Sequence, residues 1–216
     1  MLGSIDLYSG IGGGSCGLRQ AGYRPVFACD TDPLARLVFA NNFMADIKNG
    51  IEAAVSKDIP HPEIIFASPP NKDITPIFRL LNDMQPRAMI LEFPFRIIDK
   101  EKIAKRRQFD MAGYKCWHEV LNANDFGLPQ KRKMFYIVGF RKDVKTPFNA
   151  FPFPYPLDIS RTLADIVDPN PDPKLLLNEE QIQMSPQFWR AVSSRVFDPS
   201  LRSTRSASVA CSRSIR

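Results

Sequence analysis

Gly3-Ser4-Ile5-Asp6-Leu7-Tyr8-Ser9-Gly10-Ile11-Gly12-Gly13-Gly14 is the stretch that decides how this chain is read. Residues 3–8 read as a short buried strand running straight into glycines, and residues 14–21 as the start of a helix. Glycines at such a turn let the backbone approach a ligand closely, with the helix N-terminus facing it. A second strand, Pro25-Val26-Phe27-Ala28-Cys29, ends at an acid, Asp30, whose carboxylate suits the hydroxyls of a ribose. Strand, glycine turn, helix, strand and acid together predict a nucleotide-type cofactor. The alternative is a turn that only packs strand on helix.

The alternation continues outward from that start. Asp32 is a suitable N-cap and Pro33 a suitable first residue for a helix through Asn42. Glu63–Ala67 reads as a strand, Ile74–Met84 as a helix, Ala88–Leu91 as a strand and Lys100–Met111 as a charged helix. Tyr114–Leu121 and Met134–Gly139 alternate as strands do. Strands alternating with helices predict an α/β fold with a doubly wound, mostly parallel sheet. Ligands bind such sheets beyond the carboxyl ends of the strands, which is where Asp6–Gly14, Asp30, Ser68–Asn71 and Glu92 are expected. From Lys145 the character changes to a proline-aromatic connector, with helix candidates at Ser160–Val167 and Asn178–Val192. After Phe197 the chain is rich in Ser and Arg, and disorder is expected there. The domain reading is 1–145 for the α/β unit, 146–158 for the connector and 159–216 for the remainder.

Composition narrows the classes. Lys+Arg 29 against Asp+Glu 23 gives +6, a weak pointer to polyanionic partners. No apolar run is long enough to cross a membrane, and no signal peptide is read, so an intracellular location, nucleus or cytoplasm, is expected. Cys16, Cys29, Cys116 and Cys211 lie far apart with only two histidines, so no metal site is expected. Cys16 and Cys29 read as core residues and Cys116 as a packed strand residue rather than a relocated nucleophile. His61 reads as a loop residue and His118 as a surface one. Lys100, Lys102, Lys105, Arg106 and Arg107 read as a solvated helix face, and Phe188 and Trp189 as anchors of a C-terminal helix.

Asp6-Leu7-Tyr8-Ser9-Gly10-Ile11-Gly12-Gly13, with Leu18, Ala21-Gly22 and Asp30-Thr31-Asp32, resembles the first motifs of the cytosine-C5 DNA methyltransferases, which use S-adenosylmethionine. Asp46-Ile47 resembles the next motif, whose acid contacts the adenine. Ile59–Pro70 resembles the approach to the family's Pro-Cys nucleophile, and Leu91-Glu92-Phe93 its Glu-Asn-Val motif. Asn122–Arg132 with Tyr136–Arg141 resembles the segment that carries its base-holding arginines. The resemblance covers residues 3–141 with the motifs in order. It implies a Rossmann-like methyltransferase fold and a cofactor site at Tyr8, Ser9, Gly10, Ile11, Gly12, Gly13, Asp30, Thr31, Asp46, Ile47 and Pro69. It also implies catalytic positions at Asn71, Glu92 and Arg132, and DNA or tRNA as the partner. Leu7–Gly13 and Ser68-Pro69-Pro70 also occur in the tRNA-acting branch, while Asp125–Arg141 is more DNA-like.

The departures from the pattern matter as much. The family adds a thiolate to C6 of cytosine to activate C5, and Asn71 stands where that thiol belongs. An amide has no comparable nucleophile, because its nitrogen lone pair is delocalised. The family's mobile loop is reduced to a few residues before Ile77. Phe93-Pro94 replaces Asn-Val, and Met134 replaces a second arginine. Ser160–Ile166 resembles the start of the target-recognition excursion, and no returning segment is read before Arg216. The expectation is a divergent, truncated, catalytically inactive member: a regulatory or partner subunit that binds S-adenosylmethionine and nucleic acid, with a second methyltransferase-like chain as a candidate partner. Two alternatives stand beside it. One is an active enzyme, either through a second chain or by amino-methylation at Ser68-Pro69-Pro70-Asn71. The other is a module that keeps cofactor binding alone.

Overall fold

The computed structural model describes residues 2–175 apart from 46, 55, 71–73, 96–106, 111 and 160. Its strands are β1 (Leu2–Leu7), β2 (Tyr23–Asp30), β3 (Lys48–Asn49), β4 (Ile64–Ala67), β5 (Ala88–Pro94), β6 (Tyr114–Asn122) and β7 (Lys133–Arg141). Its helices are α1 (Gly13–Gln20), α2 (Pro33–Phe43) and α3 (Thr75–Met84). The strands form one sheet in the order β3-β2-β1-β4-β5-β7-β6. β1 runs parallel to β2 and β4, β2 to β3, and β4 to β5, while β7 is antiparallel to β5. The doubly wound, mostly parallel sheet expected from the sequence is present.

The central strands read as near-continuous apolar runs because both faces are covered. Ile5, Leu7, Ile65, Ala67, Met89, Leu91 and Ile137 have no exposed surface. α3 buries Ile77, Leu80, Leu81 and Met84, the spacing of one helical face, at roughly 2 kcal/mol for each side chain removed from water. Pro25 lacks an N–H, and the β1–β2 register slips where it pairs: Ser4 lies opposite Pro25 and Ile5 opposite Phe27. Asp32 caps α2 by accepting from the Leu34 and Ala35 N–H groups at 2.8 and 3.3 Å. Asp32→Ala is expected to lower stability by about 1 kcal/mol, read as a lower urea midpoint at unchanged slope.

Several expectations need correction. β5 continues through Glu92 to Pro94 instead of stopping at Leu91, because Phe93 is fully buried and pairs with Phe135 of β7. β3 was not anticipated; two residues carry no period. Arg36 holds it by donating to the Asp30 and Thr31 carbonyls and to Asn49 Oδ1 at 2.9, 2.9 and 3.1 Å. Of the expected Ser160–Val167 helix, the described residues 161–167 hold no α-helix: only a 3-10 turn, Leu163–Asp165, forms under a Thr162–Asp165 capping box. Its neighbours are exposed, so no packing supports a longer helix. Cys16 is only half-buried, since Ser15 and Leu18 take the inward positions of α1. Cys29 and Cys116 are buried, as expected. Residues 107–110 of the expected charged helix are helical, and Arg107 is exposed. The rest of that helix, the candidate Asn178–Val192, Phe188, Trp189 and the tail lie outside the described residues.

The chain divides into two compact units. The first, Met1–Leu121 with Lys133–Pro154, carries the body of the sheet and α1, α2 and α3. Within it, Phe148 and Phe151 of the connector pack against Trp117 at 5.6 and 6.4 Å between ring centroids. The second unit takes Asn122–Arg132 and the chain from Tyr155 onward. There the Ala123 N–H donates to the Arg132 carbonyl at 2.9 Å, and the Leu157 N–H to the Asp125 carbonyl at 2.8 Å.

Candidate cofactor-binding site

The glycine segment leaves β1 in a left-handed turn. Tyr8 has φ 57°, Gly10 52° and Gly12 99°, backbone that favours glycine and strains a tyrosine. The turn is held from both sides. The Ser9 N–H donates to the Cys29 carbonyl at 3.0 Å, and the Gly10 N–H to Asp30 Oδ2 at 2.8 Å. Asp6, at the other end of the loop, accepts from the Ser15 N–H at 2.8 Å and the Ser15 hydroxyl at 2.6 Å.

The glycines divide into two kinds. A Cβ on Gly12 would meet Phe43 and Phe39, and one on Gly14 would meet Phe66, so these two permit close packing beneath the loop. A Cβ on Gly10 or Gly13 would meet nothing within 4 Å. Open space over these two, with Ile11 half exposed beside them, is where a ligand could lie against the backbone. Asp30 spends Oδ2 on Gly10 and Oδ1 on the Asp32 N–H at 2.9 Å. A carboxylate accepts about four hydrogen bonds, so capacity remains for ribose hydroxyls. Thr31 is exposed next to it, and Ile47 half-buried beside β3. Asp46, expected on the adenine, lies outside the described residues. The observed loop therefore fits a nucleotide-bearing cofactor.

The catalytic positions are less complete. Pro69 is buried at the end of β4, where the Ser68 N–H donates to the Leu7 carbonyl at 3.1 Å. Asn71 lies outside the described residues, which resume at Ile74, immediately before α3. Glu92 is half-buried within β5 and accepts from the Tyr136 hydroxyl at 2.9 Å. Tyr136 is its direct cross-strand partner, a role the sequence did not reveal because it depends on the β5–β7 register. Met134 is buried in β7 opposite Pro94. Arg132 is exposed and belongs to the second unit. Burial pushes the Cys29 thiol up to about 12, so it stays protonated and unreactive. Among the described residues, no group of His, Cys, Asp or Glu is arranged to hold a metal ion. No helix among them is long and apolar enough to cross a membrane.

A β3-β2-β1-β4-β5-β7-β6 sheet with an antiparallel β7 and a glycine loop after β1 defines a Rossmann-like, S-adenosylmethionine-dependent methyltransferase fold. A DNMT2 mutant from Spodoptera frugiperda shares it at a TM-score of 0.66 and 19% identity, over 86% of this chain and 65% of that one. S. pombe Dnmt2 does so at 0.63 and 18%, over 85% and 65%. Residues 2–74 and 71–209 match the C-5 cytosine-specific DNA methylases, and the chain belongs to that family. Type II methyltransferase M.NgoBI of Neisseria gonorrhoeae is 32% identical over 197 residues, 80% of this chain and 59% of the relative. M.FnuDI of Fusobacterium nucleatum is 29% identical over 175 residues, 71% and 50%. The chain thus spans between half and two-thirds of the length of these relatives. S-adenosylmethionine, the family's cofactor, supplies a methyl group activated on a sulfonium.

Proposed function

We propose that this chain keeps the cofactor-binding half of a cytosine-C5 methyltransferase without the covalent step, and serves as a regulatory or partner subunit that binds S-adenosylmethionine and nucleic acid. The observation that carries this reading is the sequence itself: Asn71 directly follows Pro69-Pro70, where the family's thiol belongs. Three features support it. Only three residues separate Asn71 from the first residue of α3, Thr75, too few for a loop that closes over a base. The match to the family changes segment at the same place, residues 71–74. Met134 fills a core position in place of an arginine.

The cofactor site is assigned to Tyr8, Ser9, Gly10, Ile11, Gly12, Gly13, Asp30, Thr31, Asp46, Ile47 and Pro69. Asp30 has two roles there, fixing Gly10 and accepting from ribose. Asp30→Ala is expected to weaken S-adenosylmethionine binding by about tenfold to a hundredfold, the scale of one or two lost charge-assisted hydrogen bonds. Calorimetry reads this directly, and unchanged affinity would move the ribose elsewhere. Glu92 and Arg132 are retained positions for contacting a base, and the net charge of +6 favours a phosphate backbone as partner. A methyl-transfer assay on cytosine-containing DNA with the purified chain alone tests the whole reading. Clear turnover would overturn it.

A further inference from the structure

Asp6 is enclosed by the sheet and α1 and has no exposed surface. Its two oxygens are treated unequally. Oδ2 takes both hydrogen bonds from Ser15, while Oδ1 is buried with no hydrogen-bond partner among the described residues. Ser4, two residues earlier on the same face of β1, also has a buried hydroxyl without one.

The groups around Asp6 supply no compensating charge. Asp30 from β2 and Glu92 from β5 both act on it as negative neighbours. On β2 its register partner is Ala28, and Cys29, opposite Leu7, is a neutral thiol. β4 presents Ile64–Ala67, with nothing ionisable. α1 contributes Ser15, while its Arg19 lies over the Phe43 ring and donates to the Asn42 carbonyl. Burial, then the Asp30 and Glu92 charges, push the Asp6 carboxyl from 3.8 up to about 6 against the two Ser15 hydrogen bonds that hold it down.

We propose that Asp6 is a positioning residue whose ionisation is coupled to occupancy of the glycine loop: a cationic cofactor binds the ionised form, and binding expels the Asp6 proton to solvent. The proposal rests on the reading that this loop takes S-adenosylmethionine, whose sulfonium and ammonium bring the positive charge that Asp6, Asp30 and Glu92 lack. In the step itself the Asp6 O–H bond breaks, the electron pair stays on the carboxylate, and the proton passes to buffer. The ionised form strengthens both Ser15 hydrogen bonds and so fixes the α1 end of the loop. The neutral form needs less solvation and suits the empty protein.

The pH dependence follows from linkage. In the free folded chain Asp6 holds its proton between about pH 4 and 6, where the unfolded chain has lost it. Its contribution to folding stability therefore falls as pH rises through that window. Cofactor affinity moves the opposite way. It rises as pH rises toward about 6 and levels off above, because less work is then needed to remove the proton.

Calorimetric titration of the full chain with S-adenosylmethionine, in buffers of different ionisation heat, tests this. At about pH 5.5 the expected result is release of half a proton or more per ligand, vanishing by about pH 7.5, with affinity falling toward tenfold per pH unit below about 6. Asp6→Asn is expected to bind without proton release and with flat pH dependence. Ser15→Ala keeps the carboxyl but removes a hydrogen bond that favours its ionised form, so its midpoint moves to higher pH. Proton release that persists in Asp6→Asn, or an unmoved midpoint in Ser15→Ala, overturns the proposal. A wild-type chain that binds with no proton exchange overturns the coupling alone. A chain that binds no S-adenosylmethionine at any pH overturns the cofactor reading, and the coupling with it.

Discussion

Purified chain is expected to transfer no methyl group to cytosine-containing DNA, even at saturating S-adenosylmethionine. C5 of cytosine is a weak nucleophile, and the family's route depends on a thiolate adding at C6 first. Asn71 offers an amide oxygen that only accepts hydrogen bonds and a nitrogen whose lone pair is delocalised. Losing a covalent nucleophile costs on the order of 10⁶ in rate where it has been measured, which puts turnover at background. DNA carrying 5-fluorocytosine, which stalls the reaction after addition at C6, should yield no covalent complex. Asn71→Cys is the sharper variant. It restores the thiol but neither the loop before Thr75 nor an arginine at Met134, so turnover should remain at background. Turnover in that variant would show that the thiol was the whole deficit. The pH switch at Asp6 does not bear on this assay above about pH 7, where the residue is ionised.

Gly12→Ala is expected to be the most damaging small substitution in the cofactor loop. Gly12 sits at φ 99°, and a Cβ there would lie 2.2 Å from Phe43 Cε2 and 3.0 Å from Phe39 Cδ2. Phe39 is fully buried and packs against the half-buried Phe43 ring in a tilted pair at 4.6 Å between centroids, so Phe39 has little room to give way. Backbone strain of about 1–2 kcal/mol adds to overpacking of about 1–3 kcal/mol, for a total of about 3 kcal/mol. With a typical urea slope near 2 kcal/mol/M, the midpoint should drop by about 1.5 M. Gly13→Ala is the contrast: its Cβ meets nothing within 4 Å. It should leave the urea midpoint nearly unchanged while weakening S-adenosylmethionine binding, because on the proposed reading of the loop the methyl takes space assigned to the cofactor. Equal urea midpoints for the two variants would mean that Gly12 does not pack as described.

Much of the fold could be read from residue order because local signals agreed. Asp32-Pro33 marked a helix start, the apolar runs of β1 and β4 marked buried strands, and the glycines joined strand to helix. What escaped was set by tertiary contact. β3 exists through Arg36 and two register pairs, neither visible in Lys48-Asn49 itself. β5 outran its expected end because Phe93 found Phe135 across the sheet. The same limit applies to the site. The spacing of Asp30 after the glycines suggested a ligand acid, which stands as a proposal, but its hydrogen bond to Gly10 could not be read from the sequence. Tyr136 gave no signal, since its contact with Glu92 follows from pairing across a long connection. Residues 161–167 hold only a 3-10 turn because apolar residues without a surface to cover do not sustain a helix.

The ends of the sheet bear on how the chain behaves in concentrated solution. An unpaired strand edge is a template on which further chains can add. On one side the edge strand is β3, only two residues long, with both side chains exposed. That is too short to recruit a partner strand. On the other side β6 offers nine residues, four or more times the length. There Phe148 and Phe151 fold over Trp117, and Lys115 reaches across its ring at 5.0 Å, which places bulk and positive charge along the strand. Phe148 and Phe151 also pack on Phe140 of β7, so the connector adds aromatic bulk beside the longer edge strand among the described residues. Loosening it, for instance by Phe148→Ser, should show first as aggregation rather than as a change in ligand affinity.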